Sequence, residues 1–229
     1  MNALQDPKRP ILSLNLKRFL IELIGSFVIV VSATISIVYH ANNGGMYGLW
    51  FLCLAPAIAV TALIHVFGKI SLVHFNPAVT VGFLVTRHMH KNLFGLYVVA
   101  QIIGALLGSI FVRYVLNMEA GPVTSAPDYH LSFLDIIGIE ILSSALLMAV
   151  IMVAVHKNGL RGFGGIVIGI MVGLDTLLLT LVPGSSLNPA RTLSHAIIVY
   201  GLGNLWLSWT GPMIGSALVG YLYRKIFVK

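Results

Sequence analysis

Charge is what this chain has least of. Asp, Glu, Lys and Arg together make up 9% of its 229 residues, where a soluble domain carries about 25%. So few charges cannot clothe a water-facing surface. Acid is scarcer still, with seven Asp and Glu against fourteen Lys and Arg for a net charge of +7. The single cysteine, Cys53, excludes an internal disulfide. No cluster with metal-ligand spacing, no nucleophile–base pair and no phosphate-binding loop is found, which argues against a membrane-embedded enzyme, a metal site or a bound cofactor. The opening MNALQDPKRP has no early apolar core. A cleavable signal peptide is therefore not expected, and the first apolar stretch should serve as its own insertion signal.

Apolar residues are abundant instead: 58% of the chain is hydrophobic and the mean hydropathy is +0.95. This composition predicts an integral membrane protein. Six stretches are long enough to cross a bilayer as helices, which takes about 20 residues each: Phe19–Tyr39, Leu49–Phe67, Leu93–Leu116, Phe133–Val155, Gly162–Val182 and Leu205–Tyr223. Two more, Pro77–Val85 and Pro189–Tyr200, are too short to span. They fit re-entrant half-helices, because irregular backbone at membrane depth is tolerated only inside protein or against a water-filled cavity. The expected fold is an all-α membrane protein with six transmembrane helices, two re-entrant half-helices and an inverted repeat, in one domain over residues 1–229.

The basic residues do not form the single stripe that nucleic acid would require. They sort by side of the membrane. With both termini cytoplasmic, Lys8, Arg9, Lys17, Arg18, Lys69, Arg87, Lys91, Lys157, Arg161, Arg224, Lys225 and Lys229 fall inside, twelve of fourteen, and only Arg113 and Arg191 fall outside. That asymmetry supports the orientation and the span count together. Trp206, Trp209 and Tyr223 fit interfacial anchoring of the last span.

The chain also repeats. Glu22 in IELIGSF matches Glu140 in IEILSSA, and Gln101 and Gly104 match Pro212 and Gly215. The halves run approximately over residues 10–119 and 130–229, joined by Ala120–Tyr129, where Pro122, Ser125 and Pro127 mark a linker. Three spans per half insert the second copy upside down, and inverted repeats commonly place the functional site at the midplane, where broken helices meet. Spaced glycines in the third, fifth and sixth spans (Gly104 and Gly108; Gly165, Gly169 and Gly173; Gly211 and Gly215) permit close helix crossings.

Each half contains Asn-Pro-Ala, at Asn76-Pro77-Ala78 and Asn188-Pro189-Ala190. Asn caps a helix start, and Pro suits the first helical position, where a missing N–H costs nothing. Two such starts at membrane depth aim two positive dipole ends at one point.

With GKISLVHFNPAVT (Gly68–Thr80), GSSLNPART (Gly184–Thr192), Glu22, Glu140, Gln101 and Pro212, the chain resembles the aquaporin (major intrinsic protein) family over essentially its whole length. The resemblance implies that Asn76 and Asn188 present amides to the centre of a pore, orienting each passing water while the half-helix dipoles repel cations, hydronium included. It implies that Arg191 belongs to an outer constriction. Counting from the motifs carries the other constriction positions onto Pro56, Thr176 and Ser185. Water-selective members usually have an aromatic and a histidine at the first two positions. Glycerol-conducting members usually keep aromatics and follow the arginine with an aspartate, where this chain has Thr192. A wider constriction, passing urea, glycerol or ammonia as well as water, is therefore expected. A frame error would put Ala55 or Ala57 at the first position, and Asp175 at the second.

Glu22 and Glu140 match family acids that tie down the re-entrant loops, and His74 matches a position lining the cytoplasmic half of the pathway. Family members usually assemble as homotetramers with a pore in each subunit. Asp175 has two open readings: a carboxylate in the outer vestibule that pairs with Arg191 or alters its field, or a protonated or capped acid at a helix contact. His88 and His90 read as a solvated basic turn or as a metal or pH-sensing site, and His65, His195 and Cys53 as packed residues. The leading expectation is a passive channel for water and small uncharged solutes in the cell membrane. The alternatives are a facilitator mainly for another neutral solute, or a coupled transporter, whose ion-binding acids are not apparent.

Overall fold

A computed structural model describes residues 11–118, 132–156, 159–180, 187–200 and 205–228. Among them are eight α-helices and no strand: α1 (Ile11–Asn42), α2 (Gly48–Phe67), α3 (Pro77–Val85), α4 (Phe94–Ile110), α5 (Phe133–Val155), α6 (Gly164–Thr180), α7 (Pro189–His195) and α8 (Leu205–Phe227). A 3-10 turn, Lys91–Leu93, leads into α4, and π turns at Phe111–Val115 and Ala196–Tyr200 extend α4 and α7. The linker around Ala120–Tyr129 lies outside the described residues.

Six of these helices form the bundle, and α3 and α7 are the two short ones. By length and composition alone four stretches among the described residues could cross a membrane: Leu14–Asn42, Gly48–Phe67, Lys91–Val115 and Phe133–Val155. The expected end of the fifth span, at Val182, falls outside the described residues. The sixth, α8, is long enough but dilutes its apolar residues with Gly, Ser, Thr and Pro. Those small residues are on its protein side. Ser208, Gly211, Pro212, Gly215, Ser216 and Gly220 are buried, whereas Ile214, Leu218 and Leu222 are exposed. Large apolar groups outside and small groups inside is the arrangement lipid favours, because close backbone approach drives helix association there.

The halves pack alike. Helix α1 lies on α4 and α5 on α8, while α2 meets α6 across the middle. Each half-helix crosses to the other half, α3 against α8 and α7 against α4. Glycines make the contacts close: a Cβ at Gly104 would overlap the Leu23 carbonyl, and one at Gly215 the Ile141 carbonyl.

Three boundaries differ from expectation. Helix α1 begins at Ile11 rather than Phe19, because hydropathy marks the lipid boundary and not the end of the helix. Helix α8 likewise continues to Phe227. The second half-helix is α-helical only to His195 and widens into a π turn to Tyr200. Tyr223 is not simply an interfacial anchor, since its hydroxyl lies 2.7 Å from His156 Nδ1.

Candidate functional site

The two half-helices begin face to face, and their starts are built alike. Asn76 is extended (φ −154°, ψ 122°), its Oδ1 accepts from the Ala78 N–H at 2.8 Å, and Pro77 occupies the first helical position. Asn188 repeats this with φ −125° and ψ 99°, its Oδ1 accepting from Ala190 at 3.1 Å and Arg191 at 3.4 Å, with Pro189 at the first position. The threonine four residues on closes each first turn: Thr80 and Thr192 bond the carbonyls of Asn76 and Asn188 through both N–H and hydroxyl.

Each asparagine amide then reaches across. Asn76 Nδ2 donates to the Leu187 carbonyl at 2.9 Å, and Asn188 Nδ2 donates to the Phe75 carbonyl at 3.0 Å. The acceptors are the residues immediately before the opposite asparagine. Both stand in left-handed backbone, Phe75 at φ 52° and Leu187 at φ 57°, a conformation that bulky residues adopt only when their surroundings impose it.

Glu22 and Glu140 impose it. Both are fully buried. Glu22 Oε1 accepts from the Ser71 hydroxyl at 3.0 Å and the His74 N–H at 3.1 Å, and Oε2 accepts from the Phe75 N–H at 2.8 Å and Gln101 Nε2 at 2.9 Å. Four donors converge on one carboxylate, the condition under which burying such a group is tolerated. In the other half Glu140 Oε2 accepts from the Leu187 N–H at 3.3 Å. Each acid thus holds the N–H of the residue before an asparagine whose partner amide takes that residue's carbonyl.

The loop before α3 has further ties that sequence reasoning missed. Ser71 Oγ is 2.9 Å from the Tyr97 hydroxyl, which also accepts from the Leu72 N–H at 3.2 Å. His74 Nδ1 is 3.1 Å from Thr80 Oγ1, and the ring packs on Phe83 with centroids 4.2 Å apart. Assigning the Thr80 proton to the shorter contact, with the Asn76 carbonyl, makes Nδ1 the donor and leaves His74 Nε2 an acceptor. That buried Nε2 has no partner among the described residues.

Of the constriction positions, Pro56 is buried within α2, Thr176 Oγ1 donates to the Val172 carbonyl at 2.8 Å, and Ser185 lies outside the described residues. Arg191 sits in the first turn of α7, where a cation opposes the helix dipole. Its Nε is buried and without a partner among the described residues, and Glu140 supplies opposite charge nearby. Asp175 makes no ion pair with Arg191 among the described residues, which corrects the pairing reading. It is 1% exposed and its Oδ2 has no partner among the described residues.

The end of α7 is clamped from both sides. Thr34 Oγ1 on α1 is 2.9 Å from His195 Nε2, and Ser109 on α4 donates to Ser194 Oγ at 2.8 Å. Ser194 in turn donates to the Arg191 carbonyl at 2.8 Å. His195 is therefore packed, as expected, but it also fixes the half-helix carrying Arg191. No local sequence signal marks these contacts.

Broken helices meeting end to end inside a six-helix bundle are the architecture of a membrane channel or transporter. The sequence model described as "Major intrinsic protein" matches residues 12–223, and the chain belongs to that family. It is 31% identical over 209 residues to a protein named "Probable aquaporin NIP4-2" from Arabidopsis thaliana, covering 91% of this chain and 74% of that one. It is 34% identical over 237 residues to "Probable aquaporin AqpM" from Archaeoglobus fulgidus, covering 92% and 96%. The fold matches the X-ray structure of the aquaglyceroporin from Plasmodium falciparum with a TM-score of 0.77 and 22% identity, over 93% of this chain and 97% of that one. The protein is accordingly an aquaporin-family membrane channel for water or small solutes.

Proposed function

We propose that the channel conducts water, with small uncharged solutes such as urea, glycerol or ammonia, along a path that passes Asn76 and Asn188 at its centre. The observation that carries this reading is the reciprocal bonding of the two asparagines. An amide has two N–H donors. Asn76 uses one on the Leu187 carbonyl, which holds the group rigid and leaves the other for a solute oxygen. The positive ends of α3 and α7 act at the same point, turning a water's hydrogens away from the centre and raising the barrier to cations and hydronium.

His74 Nε2 supplies an acceptor on one side of that centre, and Arg191 a donor and fixed charge on the other. Pro56, Thr176, Ser185 and Arg191 form the outer constriction. The channel acts in the cell membrane with both termini cytoplasmic, in line with the sorting of basic residues. It assembles as a homotetramer with one pathway per subunit, and its structural repeats run over residues 10–119 and 130–229.

A second reading, a facilitator mainly for a neutral solute other than water, is favoured by the lack of bulk at Pro56 and by the Thr176 hydroxyl being turned to its own helix. Stopped-flow light scattering on proteoliposomes separates the two. Water flux well above that of empty liposomes supports the first reading, with glycerol and urea measured alongside. Fast glycerol or urea uptake with water flux at the empty-liposome level replaces it with the second.

A further inference from the structure

A second feature lies away from the half-helix starts, where α3, α5 and α8 all end. A cavity of about 670 Å³ opens there, within the range of small-ligand sites, about 300–1,000 Å³. Its polar wall is Arg87 and His88 from the turn after α3, His156 capping α5, and Tyr223 of α8, with Ile226 and Phe227 as the apolar wall. The imidazoles and the phenol form one cluster. The His88 ring is 5.6 Å from that of Tyr223, His156 Nδ1 is 2.7 Å from the Tyr223 hydroxyl, and the His156 ring packs edge-on against Phe227 with centroids 5.0 Å apart.

Among the described residues no carboxylate lines the cavity. Asp135 starts the helix that His156 ends, roughly 30 Å away along its axis. Glu22 is committed to the loop before α3. Three helix C-termini, each worth about half a negative charge, would by themselves attract a cation. The fixed charges decide otherwise: Arg87 in the wall, with Arg224 and Lys225 in the last turn of α8, outweigh them.

We propose that this cavity binds a phosphate group, carried either by an anionic phospholipid or by a soluble phosphate. Arg87 offers the planar pair of N–H donors that suits phosphate oxygens, and His88, His156 and Tyr223 add donors beside it. The neighbouring exposed face of α8, at Leu222, Ile226 and Phe227, places acyl chains within reach and makes the lipid source natural.

Proton linkage gives the site a signature. Burial pushes the His88 pKa down, the Thr86 carbonyl pushes it up, and His156 pushes it down again. The groups facing His88 are Arg87 on its own turn, His156 from α5 and Tyr223 from α8, with Arg224 and Lys225 beyond. An anion in the cavity favours the His88 imidazolium that burial and the neighbouring His156 disfavour. Binding of a phospholipid phosphodiester, whose own charge is constant over this range, therefore takes up a proton, and its affinity rises as pH falls through the histidine range.

The test uses the purified full chain with two probes: inorganic phosphate, and nanodiscs of phosphatidylglycerol against phosphatidylcholine. Native mass spectrometry reads retained lipid, and the thermal midpoint reads phosphate, each at about pH 6 and pH 8. Preferential retention of phosphatidylglycerol, stronger at the lower pH, identifies the lipid source. A midpoint raised by inorganic phosphate identifies the soluble one. In either case exposed Arg87→Gln and His88→Gln should weaken binding about tenfold together, the loss expected for one bidentate charged contact, with water permeability unchanged. Equal retention of the two lipids with no response to phosphate overturns the proposal, as does binding that ignores both substitutions or lipid retention that strengthens with rising pH.

Discussion

Replacing Glu22 by Gln keeps the shape of the side chain and removes its ability to satisfy four donors. The best placement sets the amide oxygen where Oε2 stands, which keeps the Phe75 N–H and Gln101. The amide nitrogen then takes the place of Oε1. It can donate to Ser71 Oγ, but it meets the His74 N–H donor to donor, where Oε1 had accepted at 3.1 Å. A hydrogen bond to a charged group contributes about 1.5–3 kcal/mol net, and a neutral one about 0.5–1.5. Losing one charged bond and demoting the other three comes to about 4–7 kcal/mol, large for a single isosteric change. The loop should respond locally as well, since Val73 and Phe75 are held at φ 51° and 52° and the Phe75 carbonyl receives the Asn188 amide. Unfolding in mixed detergent micelles measures the stability, and stopped-flow shrinkage of proteoliposomes measures the channel. A stability loss under about 1 kcal/mol with unchanged water flux would refute the assignment of Glu22 as the anchor of the loop.

Thr34→Val and Ser109→Ala should each cost about 1 kcal/mol of stability and raise urea or glycerol flux relative to water by loosening the half-helix under Arg191; an unchanged flux ratio would detach the clamp from selectivity. Pro56→Phe should lower glycerol and urea flux about tenfold while sparing water, if steric occlusion raises the barrier by about 1.4 kcal/mol; equal losses for all solutes in the same stopped-flow assay would move the constriction elsewhere. Asp175→Asn should leave cation leak unaltered, because Asp175 makes no ion pair with Arg191 among the described residues and its Oδ2 has no partner there; a changed leak in the same proteoliposomes would restore the carboxylate to the pathway. Gly104→Leu should destabilise by at least about 3 kcal/mol, since overpacking here meets the Leu23 backbone, which cannot rotate away; a well-folded variant with the parent's midpoint would mean that α1 and α4 separate cheaply.

The asparagines illustrate how much of the site was legible. Asn followed by Pro announces a helix start from the chain alone, and both motifs do cap helices. That each amide also crosses to the loop of the other motif was not legible, because the acceptors are backbone carbonyls 111 and 113 residues away. Phe75 and Leu187 gave no warning of left-handed backbone either. Their side chains argue against it locally, and only two buried carboxylates and two amides overrule them. Ser71, Tyr97, Thr34 and Ser109 passed as ordinary residues of apolar stretches, since a hydroxyl in a helix carries no mark of the partner it will meet.

Composition, hydropathy and the doubled motif by themselves determined that this chain lives in a membrane, crosses it with helices, and folds two short ones back into it. Those properties follow from solvation and from backbone preferences that act within a few residues. The tertiary structure decided how the short helices are held: end to end, each amide on the other's loop, each loop on a buried acid, and the second half-helix clamped by Thr34 and Ser109. These are contacts between groups far apart in the chain, formed because a bilayer offers buried polar atoms no water and leaves them only one another.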